Sequence, residues 1–87
     1  MLEIRFAKAA RKHRVGRASV RHVIATAIPV GTITAQGNPA WIHTGHDERG
    51  RELEVIAVEI GYEEGLDRFL LVSHAMPASL RRGNRDA

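Results

Sequence analysis

The stretch RELEVIAVEIGY, residues Arg51–Tyr62, decides the fold that this sequence predicts. Side chains of a β-strand alternate between two faces. One face of this stretch carries the apolar residues Leu53, Val55 and Ala57, and the other carries Ile56, Val58, Ile60 and Tyr62. Apolar residues on both faces indicate a strand that is covered on both sides, so we predict a central place in a sheet. Glu52, Glu54 and Glu59 interrupt the pattern, and we expect the strand ends to reach solvent.

The remaining segments alternate between strand-like and helix-like patterns. They are a strand at Leu2–Phe6, a short basic helix at Ala7–His13, an amphipathic helix at Arg17–Ala27, strands at Val30–Ala35, Ala40–Thr44 and Phe69–Ala75, and a short helix at Pro77–Arg82. Turns are predicted at residues 36–39, 47–50 and 63–65, where Gly, Pro, Asn, Asp and Glu cluster. On Phe69–Ala75, strict alternation places His74 on the face of Leu70 and Val72.

The order of these segments predicts an α+β fold. We expect an antiparallel sheet of four to five strands with two N-terminal helices packed on one face. The 87 residues form one domain, residues 1–87, in which residues 83–87 are expected to be a frayed tail. The chain has no cysteine and no apolar stretch free of Pro, Gly and polar residues that could span a bilayer, so a cytoplasmic protein is expected.

The net charge of +3 is divided unevenly along the chain. Residues 1–22 hold seven Lys and Arg against one acidic residue, whereas residues 23–67 hold eight acidic residues against two Arg. Such segregation gives the folded domain a cationic side that suits a polyanion, although a solvated charged surface without a partner is also compatible with it.

The sequence carries no established catalytic motif, but its excess of Lys, Arg and His suits one reaction on RNA. Cleavage by the 2′-hydroxyl group needs a base, an acid and cations that stabilise the phosphorane-like transition state, with no metal or other cofactor. Histidine fills either proton role near neutral pH, and Arg and Lys hold phosphate. His43 and His46, three residues apart, are only a weak indication of zinc, so no metal site is predicted.

Four residues are the candidates for this chemistry: Lys12, His13, Arg51 and His74. Either histidine would transfer protons, while Lys12 and Arg51 would hold phosphate. Candidate RNA-binding residues around them are Arg11, Arg14, Arg17, Arg49 and Trp41. Each also has a plain structural interpretation: His13 as a helix C-terminal residue, His74 as a core or rim histidine, the arginines as solvated, and Trp41 as a core or edge aromatic. His22 and His43 are predicted to be surface residues.

Over roughly residues 1–80 the sequence resembles the BrnT-type toxins, members of the RelE-like ribonuclease superfamily of bacterial toxin–antitoxin pairs. The similarity lies in Lys12-His13 at the end of the first helix, Trp41-Ile42 followed by Gly45, the Arg49-Gly50-Arg51 hairpin before a long apolar strand, and Asp67-Arg68 followed by Val72-Ser73. Arg14 stands where the family has glycine after Lys-His, and His74-Ala75 stands where it usually has Ala-Arg.

The resemblance implies a metal-independent endoribonuclease that a small antitoxin neutralises. Operator DNA would be bound only through the antitoxin, and no membrane would be involved. Two alternatives from other classes stay open: a nucleic-acid-binding module without catalysis, and a protein-interaction domain whose basic face docks an acidic partner. Salt-sensitive RNA binding without cleavage products would favour the first, and complex formation indifferent to RNA would favour the second.

Overall fold

The computed structural model describes residues 3–61 and 68–80. In chain order the elements are β1 (Glu3–Phe6), a 3₁₀ helix (Lys8–Arg11), α1 (Arg17–Thr26), β2 (Val30–Ile33), β3 (Pro39–His46), β4 (Glu52–Ile60) and β5 (Phe69–Pro77). Residues 78–80 are helical. The chain is therefore an α+β protein, as the sequence predicts.

The five strands form one sheet in the order β1-β5-β4-β3-β2. β4 lies between β5 and β3, so the prediction that Arg51–Tyr62 forms a central strand is confirmed for the described residues Glu52–Ile60. The pairs β2–β3, β3–β4 and β4–β5 are antiparallel, but β1 is parallel to β5. The prediction of an antiparallel sheet is thus wrong at one edge. β1 is distant from β5 along the chain, and no hairpin forces it to run antiparallel.

One face of the sheet is covered by α1, and we call it the helix face. Val20 and Val23 of α1 are fully buried against Leu53 and Val55 of β4 and Val72 of β5. Gly45 on β3 allows the close approach, because a Cβ atom there would lie 3.0 Å from the Cβ atom of Ala27. These contacts confirm that the apolar stripe of Arg17–Ala27 packs on the sheet, and the helix ends one residue earlier, at Thr26.

The opposite face, which we call the open face, is not covered by any element of the described chain. Its β4 residue Val58 is buried and Ile56 and Ile60 are half-buried, whereas Leu53, Val55 and Ala57 on the helix face are fully buried. The expectation that the middle of β4 is covered on both sides therefore agrees with Val58 and only in part with Ile56 and Ile60.

A β-bulge in β5 changes the faces that simple alternation predicts. Ile56 pairs with His74 but Ala57 pairs with Val72, so Ser73 is an extra residue on β5. Val72 and Ala75 both lie on the helix face, and His74 is turned to the open face. The prediction that His74 shares a face with Leu70 and Val72 is wrong, because a period of two cannot reveal an inserted residue.

The first of the two predicted helices is only one turn of 3₁₀ helix. Its backbone bonds join Ala10 to Ala7 and Lys12 to Ala9, which is the i to i+3 pattern. Ala10 is its only buried residue, so a longer α-helix would gain little from packing. The prediction of two α-helices on one face is wrong for this segment, and α1 alone covers the helix face as an α-helix.

The other boundaries differ from the predictions by a few residues. β2 ends at Ile33, β3 is longer than predicted at both ends, and β5 continues to Pro77, which was expected to start a helix. The predicted turn at 63–65 and the frayed tail at 83–87 lie outside the described residues, as do the last two residues of the predicted helix at Pro77–Arg82.

Candidate nucleic-acid interface

The β3–β4 hairpin is built around the carboxylate of Asp47. Its Oδ1 atom accepts hydrogen bonds from the backbone N–H groups of Arg49 and Arg51, both at 2.9 Å, and Oδ2 accepts one from Arg51 Nε at 3.2 Å. Gly50 has φ of 80°, which a turn of this shape needs and glycine adopts without strain. Burial raises the pKa of Asp47, but the two N–H groups and the Arg51 guanidinium outweigh this effect and leave the pKa below its ordinary value.

Three basic segments lie in the half of the sheet that ends at the hairpin. The N-terminal turn of α1 is tied to the hairpin by a hydrogen bond from Ser19 Oγ to Glu48 Oε1. The 3₁₀ helix begins where Ala7 N–H donates to the carbonyl of Val72, and Ala10 then packs in the same core cluster as Ala75. Because Leu53 at the start of β4 pairs with Pro77, this end of β5 is also the hairpin end.

The cations of this end are exposed and, for the most part, unpaired. We define the basic end as Lys8, Arg11, Lys12, Arg14 and Arg49, all exposed. Within the described chain none of the five has a carboxylate oxygen within 4 Å, while Arg51 is half-exposed and bound to Asp47. Arg17 and Arg21 lie over the Phe6 ring, at 5.4 and 5.8 Å from its centre. These guanidinium groups extend the positive surface along α1.

A histidine–carboxylate pair lies on the open face. His74 Nε2 is 3.1 Å from Glu54 Oε1, and the side chains keep 32% and 13% of their exposure. A carboxylate at this distance fixes the orientation of the imidazole ring. The ring is therefore both oriented and accessible to solvent. Sequence reasoning selected His74 but missed Glu54, which cross-strand register alone could reveal.

The predicted residues Lys12 and His13 do not join this pair. They lie between Ala10 and Val15, which are buried in the core on the helix face, whereas His74 is on the open face. No hydrogen bond or ion pair of the described residues links Lys12 or His13 to Arg51 or His74. Lys12 and His13 thus follow the 3₁₀ helix that packs on β5, Arg51 lies in the β3–β4 hairpin, and His74 is on the open face.

Trp41 is held inside the structure by a hydrogen-bond network. Its Nε1 atom donates to Glu59 Oε2 at 2.7 Å, and Glu59 Oε1 accepts from Arg68 at 2.9 Å. The ring also covers Gly31, where an added Cβ would be 3.0 Å from the Trp41 Cζ3 atom. This arrangement corresponds to the packed-aromatic interpretation of Trp41, and the ring is not presented with the cations of the basic end.

His43 is buried, so its prediction as a surface residue is wrong, whereas His22 is exposed as expected. His43 pairs with Val55 on the helix face and retains 5% exposure, and its Nδ1 atom has no hydrogen-bond partner among the described residues. Burial lowers the pKa of His43 below its ordinary value, and the nearby backbone of Trp41 and Val55 offsets only part of this effect.

In residues 3–61 and 68–80, no three His, Asp or Glu side chains lie together in a way that could hold a metal ion. None of the helices in these ranges is both long and apolar enough to cross a bilayer. Comparison of the chain with protein-family models, with curated proteins and with solved structures finds no significant match. The similarity to BrnT-type toxins therefore stays a prediction that depends on the residues quoted above.

Proposed function

We propose that this protein binds and cleaves RNA without a metal ion, as the toxin of a toxin–antitoxin pair. The observation that supports the proposal is the basic end, where five exposed cations from two segments have no carboxylate oxygen within 4 Å among the described residues. Unpaired surface cations at this density attract a phosphate backbone, because each phosphate contact releases condensed counterions. Arg51, prepositioned by Asp47, adds a guanidinium group whose orientation is fixed before RNA arrives.

Proton transfer is assigned to the histidines. In the reaction, a base takes the proton of the 2′-hydroxyl, O2′ attacks the phosphorus, the bond from phosphorus to O5′ breaks, and an acid protonates O5′. The products are a 2′,3′-cyclic phosphate and a 5′-hydroxyl end. His74 is the stronger candidate because Glu54 orients its ring, while His13 lies next to Lys12 among the phosphate-binding cations.

The same basic end suits the partner that the family resemblance implies. An antitoxin with an acidic segment would cover the cations and compete directly with RNA. With the basic end covered in this way, contact with operator DNA would come through the antitoxin.

The test is incubation of purified protein with a mixed-sequence RNA in EDTA, followed by analysis of the product ends. The proposal predicts 2′,3′-cyclic phosphate ends and no cleavage of the 2′-O-methyl form of the same RNA. His74→Gln should lower the rate by about 100-fold or more, the usual contribution of a proton-transferring group. His22→Gln, at an exposed position of α1, is the matched control and should leave the rate unchanged.

Expression in cells gives an independent measure. The wild-type chain should stop growth without a partner, and the double variant His13→Ala with Arg51→Ala should relieve the arrest. Intact RNA after long incubation, together with normal growth, would contradict the proposal.

One observation favours a second function. His74 lies on the open face of the sheet, whereas Lys12 lies between residues that are buried on the helix face. If the two cannot reach one phosphodiester, the chain binds RNA at the basic end and cleaves nothing. That outcome gives salt-sensitive RNA binding, no products, and no effect of His74→Gln on the affinity.

A further inference from the structure

β2 is an edge strand whose side chains are all exposed. In the described chain it pairs only with β3, so its outer edge is free. Val30 and Ile33 keep 65% and 71% of their exposure, and Ile28 just before the strand keeps 90%. Large apolar side chains beside unpaired backbone groups are the features that favour addition of another strand.

The register of β2 shows which backbone groups point outward. Thr34 N–H donates to the carbonyl of Asn38, and Ile33 faces Pro39, which has no N–H group to give. Hydrogen-bonded pairs alternate along an antiparallel ladder, so Thr32 also bonds inward to β3. The N–H and C=O groups of Gly31 and Ile33 therefore face the free edge.

β2 is short and follows Pro29, but this edge carries none of the charged side chains by which proteins often prevent strand pairing. No Asp, Glu, Lys or Arg occurs from Val23 to His46, which includes β2 and the segments on both sides of it. Protected edges commonly carry an inward charge, a lysine or a bulge. The charged residues of the basic end and of the hairpin are in other segments, and Glu59, which accepts a hydrogen bond from the Trp41 ring beside Gly31, is paired with Arg68.

We propose that β2 pairs with β2 of a second copy of this chain, antiparallel and about a two-fold axis, to form a continuous ten-stranded sheet. A two-fold axis perpendicular to the sheet requires residues on the same face to lie opposite each other. One register satisfies this condition and gives a hydrogen-bond partner to every outward N–H and C=O group. It places Thr32 opposite Thr32 of the second copy. Gly31 then exchanges two hydrogen bonds with Ile33 of the second copy, and Ile33 does the same with Gly31.

The side chains suit this register. Thr32 meets Thr32 of the second copy on the open face, a favourable cross-strand pair. On the helix face, Ile33 of the second copy lies opposite Gly31 and beside the Trp41 ring that covers it. An uncharged strand matches an uncharged strand, so two copies approach without charge repulsion at the contact. A strongly charged partner segment would find no opposite charge here.

The test is sedimentation velocity and light scattering of the purified chain from low to about 500 µM, the range that a small strand interface requires. The wild-type protein is expected to dimerise. Ile33→Pro removes an outward N–H group and no inward one, so it should weaken the dimer on the order of 30-fold through two lost hydrogen bonds. Ala25→Lys, on the exposed side of α1, should dimerise as the wild type does.

Charge substitution tests the register itself. Thr32→Lys and Thr32→Glu each place like charges opposite each other, so each variant alone should be monomeric where the wild type is dimeric. Mixed in equal amounts they should form a heterodimer. Circular dichroism of each variant confirms that it is folded, and Val30→Arg is the second variant if one of them is not. A monomeric wild type, or Thr32 variants that dimerise like the wild type, would overturn the proposal.

Discussion

The two faces of the sheet are made from alternate residues of the same strands, yet they differ in almost every physical property. On the helix face, Leu53 and Val55 are fully buried under α1. On the open face, Glu54 pairs with His74 and Ile56 is only half-buried. One residue along β4 thus separates a buried core position from a histidine–carboxylate pair that solvent reaches. Substitutions at adjacent residues therefore test packing on one face and this pair on the other.

The largest expected difference is between Leu53 and Ile56. Leu53→Ala removes apolar volume from the closed core and should lower the free energy of unfolding by about 2–4 kcal/mol. Ile56→Ala removes a similar volume from the open face, where solvent fills the space, and should cost about 1 kcal/mol. Urea unfolding of both variants measures the two losses in the free energy of unfolding. Equal losses would mean that another segment covers the open face.

The two faces also predict different pH effects for their histidines. The folded pKa of His43 lies below its unfolded value of about 6.5, so the unfolded chain binds the proton first as pH falls. The resulting stability is present above pH 6.5 or so and is lost below it, with a slope of at most about 1.4 kcal/mol per pH unit.

His43→Gln should therefore reduce the difference in free energy of unfolding between pH 8 and pH 5.5. His46→Gln, on the same strand but exposed, is the matched control and should keep the wild-type difference. The same difference between pH 8 and pH 5.5 in both variants would contradict the assignment of this effect to His43.

Arg14 connects the basic segment to the helix face in a conformation that favours glycine. Its φ is 55°, in the left-handed region, where a Cβ atom costs about 1 kcal/mol. Arg14→Gly should be more stable than Arg14→Ala by that amount, although both lose the same charge. Thermal unfolding of the pair gives the difference. A more stable alanine variant would contradict the backbone conformation of Arg14 described here.

The smallest expected change in stability is on the open face, at Glu54. Glu54→Gln weakens a partly exposed pair with His74 and should cost less than about 1 kcal/mol. If His74 transfers protons, the same variant should lower the cleavage rate by roughly tenfold through loss of orientation. A large loss of stability with unchanged cleavage would assign the pair a purely structural role.

The central strand, α1 and the α+β class could be predicted because each depends on a local period. Arg17–Thr26 repeats apolar residues at helical spacing, and Glu52–Ile60 carries apolar residues on both faces of a two-residue period, so the pattern and the structure coincide. The parallel pairing of β1 and the 3₁₀ helix could not be predicted, since both are decided by contacts with β5, which is distant along the chain.

The candidate site was predictable in residue type but not in arrangement. Clustering of Lys and Arg before His22 identified the basic end, because charge along the chain is visible without a fold. The bulge at Ser73, which turns His74 to the open face, has no sequence signal of its own. Glu54 and Asp47 were missed because their partners, His74 and the hairpin N–H groups, are defined only by register and turn geometry.

The salt dependence of RNA binding tests most directly whether the basic end holds RNA. A 2′-O-methyl RNA cannot be cleaved by its own hydroxyl groups, so its affinity can be followed from low to high salt at equilibrium. Lys12→Gln, Arg14→Gln and Arg49→Gln should each reduce the slope of log K against log salt by about 0.7, the value for one contact to a single strand. Arg68→Gln, whose guanidinium group is bound to Glu59, should leave the slope unchanged. Equal slopes in all four variants and the wild type would show that RNA does not bind at the basic end.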